Sequence, residues 1–148
     1  MFRPVVFGLF LFVSVGTLMG CGGDQPSTPG DASVATADAV PGQPDLERGK
    51  TLYFQCRACH SLEAGGPHKV GPNLHGIFGR KAGLAAGFAY SEVMKSSDVV
   101  WTEQAMDDWL ARPSQFMPGN RMVFVGIKDA QDRASLVAYL LQETTAGE

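Results

Sequence analysis

Apolar residues are spread unevenly along the chain, and their spacing changes twice. Residues 5–19 form a nearly continuous apolar run of 15 positions, whereas residues 22–44 contain only Val34 and Val40 as large apolar side chains. In the remainder of the chain, apolar residues recur at helical spacing in several segments that loops separate. The pattern predicts an N-terminal apolar segment, a polar connector and a folded domain over residues 45–148.

The first helix of the domain is predicted from its capping residue. Asp45 follows Pro44 and can accept a hydrogen bond from a first-turn amide of a helix that extends through about Cys56. Gly49 lowers the stability of such a helix relative to alanine. Its expected use is therefore a close backbone approach to another helix.

Two further helices are predicted, and no segment shows the alternating pattern of a strand. Thr102 can cap a helix through about Ala111, which Pro113 ends because proline disfavours helical geometry at the residue before it. A third helix begins at Asp129 and has apolar residues at helical spacing, namely Leu136, Val137, Leu140 and Leu141. Residues 65–87 are rich in Gly and Pro and indicate loops. The predicted fold class is all-α, with three main helices and long loops.

Residues 1–20 have the features of a secretory signal peptide. Arg3 is their only charge, and the apolar run is shorter than the roughly 20 residues that span a bilayer. The segment Leu18-Met19-Gly20-Cys21 resembles the lipobox of bacterial lipoproteins, in which the cysteine carries the lipid. Lipidated Cys21 is the expected mature N-terminus. An ordinary cleaved signal and an uncleaved anchor are the alternatives, and all three export the domain.

Residues 21–44 are predicted to be the lipid-anchor cysteine and a flexible linker. The 23 residues that follow Cys21 are dominated by small and polar types, which bury too little surface to offset the entropy of ordering. A flexible coil of that length typically spans about 25–30 Å. Such a linker would keep a lipid-held domain close to partners at the membrane.

The charge balance excludes one class of partner. Removal of residues 1–20 leaves 11 basic and 15 acidic side chains, a net charge of −4. Because nucleic-acid binding requires a basic stripe, no nucleic-acid partner is predicted. The 148 residues suffice for one domain, which is expected to be a monomer.

The motif Cys56-Arg57-Ala58-Cys59-His60 carries the predicted chemistry. This spacing is typical of c-type haem attachment, in which both thiols form thioethers with the porphyrin and the histidine binds the iron. A zinc site or a redox dithiol is the alternative, although Cys21 is the only other cysteine and no βαβ pattern surrounds the motif. One covalent haem c, held by Cys56 and Cys59 with His60 as proximal ligand, is predicted.

From Asp45 to its C-terminus, the chain resembles class I cytochromes c of the mitochondrial and bacterial c2-like branch. The resemblance rests on motifs in a fixed order, namely Cys56–His60, Gly71–Gly76, Gly79–Lys81, Gly87–Ser91, Trp101, Pro118–Ile127 and Leu136–Leu140. It implies the cytochrome c fold, a small helical domain with long loops wrapped around one covalent haem.

Met122 is the sixth iron ligand that the resemblance implies. It lies in a Pro-Gly loop after the second helix, and Met117, five residues earlier, is the alternative. Ligation by methionine and histidine fills both axial positions and raises the reduction potential. An electron-transfer protein is therefore expected, with no enzymatic activity and no small-molecule substrate.

The resemblance also gives roles to residues around the haem plane. Pro72 would accept a hydrogen bond from the ring of His60 and so fix its orientation. Phe124 would line the exposed haem edge. Trp109 stands where the family more often has a tyrosine close to the methionine ligand. The plain alternatives are a turn at Pro72 and core packing for the aromatic residues.

Arg80, Tyr90 and Trp101 match family residues that surround the haem propionates. Two buried carboxylates need hydrogen-bond donors or a positive charge, which these side chains supply. The alternative is a surface arginine and two core aromatic residues. His68 and His75 are interpreted as structural or surface residues rather than ligands.

The function implied is that of a membrane-tethered, single-haem electron carrier on the periplasmic side of a membrane. Its expected partners are a quinol-oxidising complex as donor and an oxidase, reductase or photosynthetic reaction centre as acceptor. Mitochondrial forms carry a lysine-rich ring at the haem edge, whereas only Arg57, Lys69, Arg112, Arg121 and Lys128 could form a thin basic patch here. A fixed subunit of a respiratory complex and a haem peroxidase or gas-binding protein are the alternative functions.

Overall fold

The computed structural model describes residues 42–145, which contain five α-helices. They are α1 Leu46–Tyr53, α2 Glu92–Lys95, α3 Glu103–Ala111, α4 Pro113–Phe116 and α5 Ala130–Thr145. Within this range the only β-type pairing is an isolated antiparallel bridge between Lys81 and Val100. The all-α prediction is confirmed. The predicted signal peptide, Cys21 and the linker up to residue 41 lie outside the described residues.

The three predicted helices begin at their predicted capping residues. Asp45 Oδ1 accepts a hydrogen bond from the amide three residues later at 3.0 Å, and Thr102 Oγ1 does the same at 3.1 Å. Asp129 Oδ1, just before α5, accepts from the Asp132 amide at 2.8 Å. In each case the side chain satisfies an amide that has no partner within its own helix.

One helix boundary differs from the prediction, and one proline has an additional role. α1 ends at Tyr53 rather than near Cys56, and the chain continues as hydrogen-bonded turns. Pro113 follows α3 as predicted but also begins α4, because the first position of a helix needs no amide donor. The helices α2 and α4 have four residues each, too short to leave a periodic pattern in the sequence.

Gly49 lies where α1 packs on α5. A Cβ atom at this position would stand 2.7 Å from Tyr139 Cβ and would overlap the main-chain oxygen of Ser135. One turn further along α1, the rings of Tyr53 and Tyr139 lie 5.8 Å apart between centroids. The predicted use of Gly49 for a close helix approach is confirmed.

One hydrophobic core joins the helices to the loops. Its buried apolar residues are Leu62, Ala82, Trp101, Met106, Trp109, Leu110, Met117, Ile127, Leu136, Val137 and Leu140. Partly buried side chains pack against this core, among them Cys56, Leu74, Met122 and Phe124. No helix within residues 42–145 has the length and apolar character needed to cross a bilayer.

Candidate haem site

Cys56, Cys59 and His60 share one hydrogen-bonded turn that follows α1, called here the attachment turn. The amides of Cys59 and His60 each donate to the Cys56 carbonyl at 3.0 Å. Both cysteines are half-buried free thiols, and burial raises the pKa of Cys56 to about 11. The turn therefore presents two thiols and an imidazole from five consecutive residues.

The ring of His60 is fixed by one hydrogen bond that determines its tautomer. Nδ1 lies 2.8 Å from the carbonyl oxygen of Pro72. Because a carbonyl oxygen only accepts, Nδ1 carries the proton and Nε2 carries the lone pair. Burial lowers the pKa of His60, which favours this neutral form. The ring is thus prepared to bind a metal through Nε2.

Gly71 is a site residue whose role the sequence did not reveal. A Cβ atom at this position would stand 2.7 Å from both ring nitrogens of His60 and would overlap its Cε1 atom. The Gly71 amide also donates to the Cys59 carbonyl at 2.8 Å. In the sequence, a glycine before a proline indicates only a turn. No local sequence pattern therefore indicates that Gly71 packs against the imidazole of His60.

Met122 lies in the loop between α4 and α5, and Asn120 holds that loop. Asn120 Oδ1 accepts from the Met122 amide at 2.9 Å, and Asn120 Nδ2 donates to the carbonyls of Pro113 at 2.9 Å and Met117 at 2.8 Å. Met117 is buried at 6% exposure, whereas Met122 is half-buried. Met117 thus fills the core, and the thioether of Met122 stays partly accessible.

Arg80 is bonded to Trp101 through the main chain and lies near Tyr90. The Trp101 amide donates to the Arg80 carbonyl at 2.9 Å, and the indole is buried at 6% exposure. Burial raises the pKa of Tyr90, and the nearby guanidinium of Arg80 partly offsets this. Arg80 Nη1 donates to the His75 carbonyl at 3.3 Å and remains exposed. Arg80 therefore lies near both aromatic residues with which the resemblance groups it.

Trp109 is a core residue of an aromatic cluster. Its ring meets that of Trp101 edge-on with centroids 5.5 Å apart, and that of Phe116 at 5.9 Å. Edge-to-face contacts of this kind add to the stabilisation from burial. Phe124, by contrast, is half-buried and packs at the border of the core.

His68 and His75 bind main-chain groups, as their structural interpretation predicts. His68 Nε2 donates to the Ala86 carbonyl at 2.8 Å while its Nδ1 accepts from the Asn73 amide at 2.9 Å. His75 Nδ1 donates to the Leu62 carbonyl at 3.1 Å. Over residues 42–145, no three His, Cys, Asp or Glu side chains group as metal ligands, so a multi-ligand zinc site has no counterpart there.

The donor set fits a haem c. Two free thiols one turn apart suit thioether bonds, a neutral imidazole offers Nε2, and the Met122 thioether borders the same core as Cys56. Such donors are those of c-type haem with histidine and methionine ligation. When bound, the haem supplies a one-electron Fe(III)/Fe(II) couple, and the chain supplies its attachment, orientation and surroundings.

Comparison with known proteins agrees with this chemistry. The cytochrome c family model matches residues 46–144. The chain is 50% identical over 101 residues to cytochrome c of Chlamydomonas reinhardtii, which covers 68% of this chain and 90% of the relative. It is 37% identical over 145 residues to cytochrome c2 of Blastochloris viridis, which covers 98% of this chain and 97% of the relative.

Family, fold and donor chemistry converge on one conclusion. The matched region includes the attachment turn and all five helices except the last residue of α5. Haem c in this family is held through the paired cysteines, which are Cys56 and Cys59 in this chain. The protein belongs to the cytochrome c family, and it is a monohaem electron carrier rather than an enzyme.

Proposed function

We propose that this protein is a lipid-tethered carrier that takes single electrons from a quinol-oxidising complex and delivers them to an oxidase or a reaction centre on the periplasmic side of a membrane. One observation carries the proposal. In the loop between α4 and α5, residues 117–129, called here the ligand loop, Met122 and Phe124 are half-buried, whereas Val123 and Val125 are 101% and 95% exposed. This alternation places an accessible apolar surface directly beside the Met122 thioether.

His60 and Met122 are the proposed axial ligands. The support for His60 is its neutral tautomer with Nε2 free of the Pro72 contact. The support for Met122 is its partial accessibility in a loop held by Asn120. With both axial positions filled by protein groups, no position remains for a substrate, which suits outer-sphere electron transfer.

Arg80, Tyr90 and Trp101 are proposed to donate to the haem propionates, with Trp109 behind them in the core near the methionine ligand. The contact of Trp101 with the Arg80 main chain and the edge-on packing of Trp101 on Trp109 support this grouping. Phe124 is proposed to line the exposed haem edge.

The proposed docking surface is apolar and carries few charges. Val123 and Val125 project from the ligand loop next to Arg121, which is also exposed. The other basic residues that could contribute to a patch at this surface are exposed, namely Arg57, Lys69, Arg112 and Lys128. Few interface charges should give weak electrostatic steering, which a tethered carrier needs less because its partners are held nearby.

Electron transfer to a membrane oxidase should therefore depend only weakly on salt. Between about 20 mM and about 200 mM salt, we expect the second-order rate to fall by less than about threefold. Stopped-flow oxidation of the reduced protein measures this rate. The matched variant Val123→Lys/Val125→Lys adds two charges at the same surface, and its second-order rate should fall more steeply with salt. A steep fall in the unmodified protein would contradict the proposal.

The tether is proposed from residues 1–44, with Cys21 as the lipid-bearing residue. Its support is the lipobox-like segment that ends at Cys21 and the polar linker that follows. A cysteine that carries two or more acyl chains would anchor the domain stably, whereas a single chain would not.

Substitution of Cys21 tests the tether. In a host that exports and loads the protein, Cys21→Ser should move the haem protein from the membrane fraction to the soluble periplasmic fraction. Ser27→Ala, a conservative change in the same linker, should leave it membrane-bound. Mass spectrometry of the N-terminal peptide should show a cysteine with acyl groups. An unmodified Cys21 peptide, or membrane retention of Cys21→Ser, would refute lipid anchoring.

A further inference from the structure

The main-chain carbonyl of His60 accepts hydrogen bonds from two side chains. Tyr53 Oη donates to it at 3.1 Å, and Lys69 Nζ donates to it at 3.1 Å. Lys69 Nζ also donates to the Arg57 carbonyl at 2.7 Å. These carbonyls stand at the end of the attachment turn, where a helical turn leaves its acceptors without intrahelical partners. Two donors from different parts of the chain therefore converge on the residue that bears the imidazole.

The loop that carries Lys69 is also tied to the turn through its main chain. The Lys69 amide donates to the Gly71 carbonyl at 2.9 Å, and the Gly71 amide donates to the Cys59 carbonyl at 2.8 Å. Lys69 thus sits in a short loop whose residues Gly71 and Pro72 lie against the ring of His60. A cation at the C-terminal end of a helical turn is also favoured by the partial negative charge of the carbonyls there.

We propose that Tyr53 and Lys69 are positioning residues for the axial imidazole, and that the Lys69 ammonium raises the reduction potential of the haem. They hold the main chain of His60, while Pro72 and Gly71 hold its ring. This inference rests on His60 being the axial ligand, as proposed above.

The charge of Lys69 has a direct electrostatic consequence. Reduction adds one negative charge at the haem, so a nearby positive charge stabilises the reduced state more than the oxidised state. Lys69 Nζ lies 3.1 Å from the main-chain oxygen of His60, so the positive charge is held next to the residue that bears the imidazole. Lys69 is exposed, which screens the effect but does not remove it.

The hydroxyl of Tyr53 has a geometric rather than an electrostatic consequence. Burial raises the pKa of Tyr53 to about 12, so the hydroxyl remains a donor across the physiological range. Its ring packs against that of Tyr139 on α5, with centroids 5.8 Å apart. The hydrogen bond to His60 therefore links the position of the imidazole to the packing of α1 on α5.

Two substitutions in the haem-loaded protein, each with a matched control, test the inference. Lys69→Gln removes the charge, and Lys50→Gln removes the same charge from the exposed surface of α1. Tyr53→Phe removes the hydroxyl, and Tyr139→Phe removes one from the other member of the ring pair. Redox titration gives the potential, and proton NMR follows exchange of the His60 Nδ1–H with solvent.

Lys69→Gln should raise the oxidised-to-reduced ratio at a fixed ambient potential about threefold, which is a fall of about 28 mV at about 59 mV per tenfold change. Tyr53→Phe should speed exchange of the His60 Nδ1–H by about tenfold. Both controls should match the unmodified protein. Phenylalanine keeps the ring that packs on Tyr139. Tyr53→Phe is therefore the variant that decides the positioning role if Lys69→Gln loads haem poorly.

Two different failures can be told apart. If the spectrum stays six-coordinate but Lys69→Gln and Tyr53→Phe behave like their controls, the positioning inference is overturned. If the unmodified protein shows no ligation by His60, the ligand assignment itself is overturned, and the potentials of the variants then carry no weight for positioning.

Discussion

Replacing Met122 by alanine is expected to remove the sixth iron ligand and, with it, the long-wavelength absorption band that accompanies methionine ligation. The thioether favours the ferrous state, so its loss should lower the reduction potential by on the order of 100 mV. The structure supports this residue because its side chain is half-buried at the border of the core. Optical spectra of the oxidised protein and a redox titration measure both effects.

Met117 provides the matched control for this experiment. It is the other methionine of the same region, and it is buried at 6% exposure. Met117→Leu nearly conserves volume, which typically costs less than about 1.5 kcal/mol in a core. The absorption band should persist in Met117→Leu. A band that survives Met122→Ala and disappears in Met117→Leu would reverse the ligand assignment.

Gly49→Ala is expected to lower the free energy of unfolding by about 2 kcal/mol, because overpacking of a close contact typically costs about 1–3 kcal/mol. The new methyl group would overlap the Ser135 oxygen and crowd Tyr139, so α1 and α5 must separate. Alanine is intrinsically better than glycine in a helix by about 1 kcal/mol, so a net loss requires that the steric cost outweighs this gain. A fall of about 10 °C in the melting temperature should accompany the change.

Thermal and denaturant unfolding, followed by circular dichroism, measure the effect on stability. Lys50→Ala alters the next residue of α1, which is exposed, and should change stability by less than about 0.5 kcal/mol. Haem absorbance of the folded variants shows whether loading is equal. If Gly49→Ala proved as stable as the unmodified protein, helix propensity would outweigh the contact, and the close approach of α1 and α5 would not be required.

These two experiments probe different parts of one arrangement. Met122 tests the ligand loop, which follows α4, whereas Gly49 tests the helix pair that carries the attachment turn. Because the turn begins directly after α1, a displaced α1 also displaces the two cysteines and His60. A Gly49→Ala variant that folds should therefore also show altered haem surroundings in its near-ultraviolet or Soret circular dichroism.

Features set by contacts between residues close along the chain were predictable from the sequence, whereas features set by distant contacts were not. The caps at Asp45, Thr102 and Asp129 were predictable because each is set by a contact three residues along the chain. The boundary at Tyr53 was not, because hydrogen-bonded turns continue past the helix and differ little from it in residue pattern. The second role of Pro113, as the first residue of α4, was missed for the same reason.

The site shows the same division. Cys56, Cys59 and His60 lie within five consecutive residues, so the sequence alone determined the covalent haem chemistry. Met122 was reached only through a resemblance to known proteins, because spacing along the chain does not distinguish it from Met117. The structure added what separates them, which is burial of one and partial exposure of the other.

The sequence by itself determined the cofactor, the helical class and the start of each main helix, since these depend on residues close together along the chain. Only the tertiary structure decided what surrounds His60. Pro72 lies 12 residues from it, and Gly71 touches its ring only because the loop returns to the attachment turn. The contacts of Tyr53 and Lys69 with its carbonyl likewise depend on how α1 and that loop pack, and no local pattern encodes such an approach.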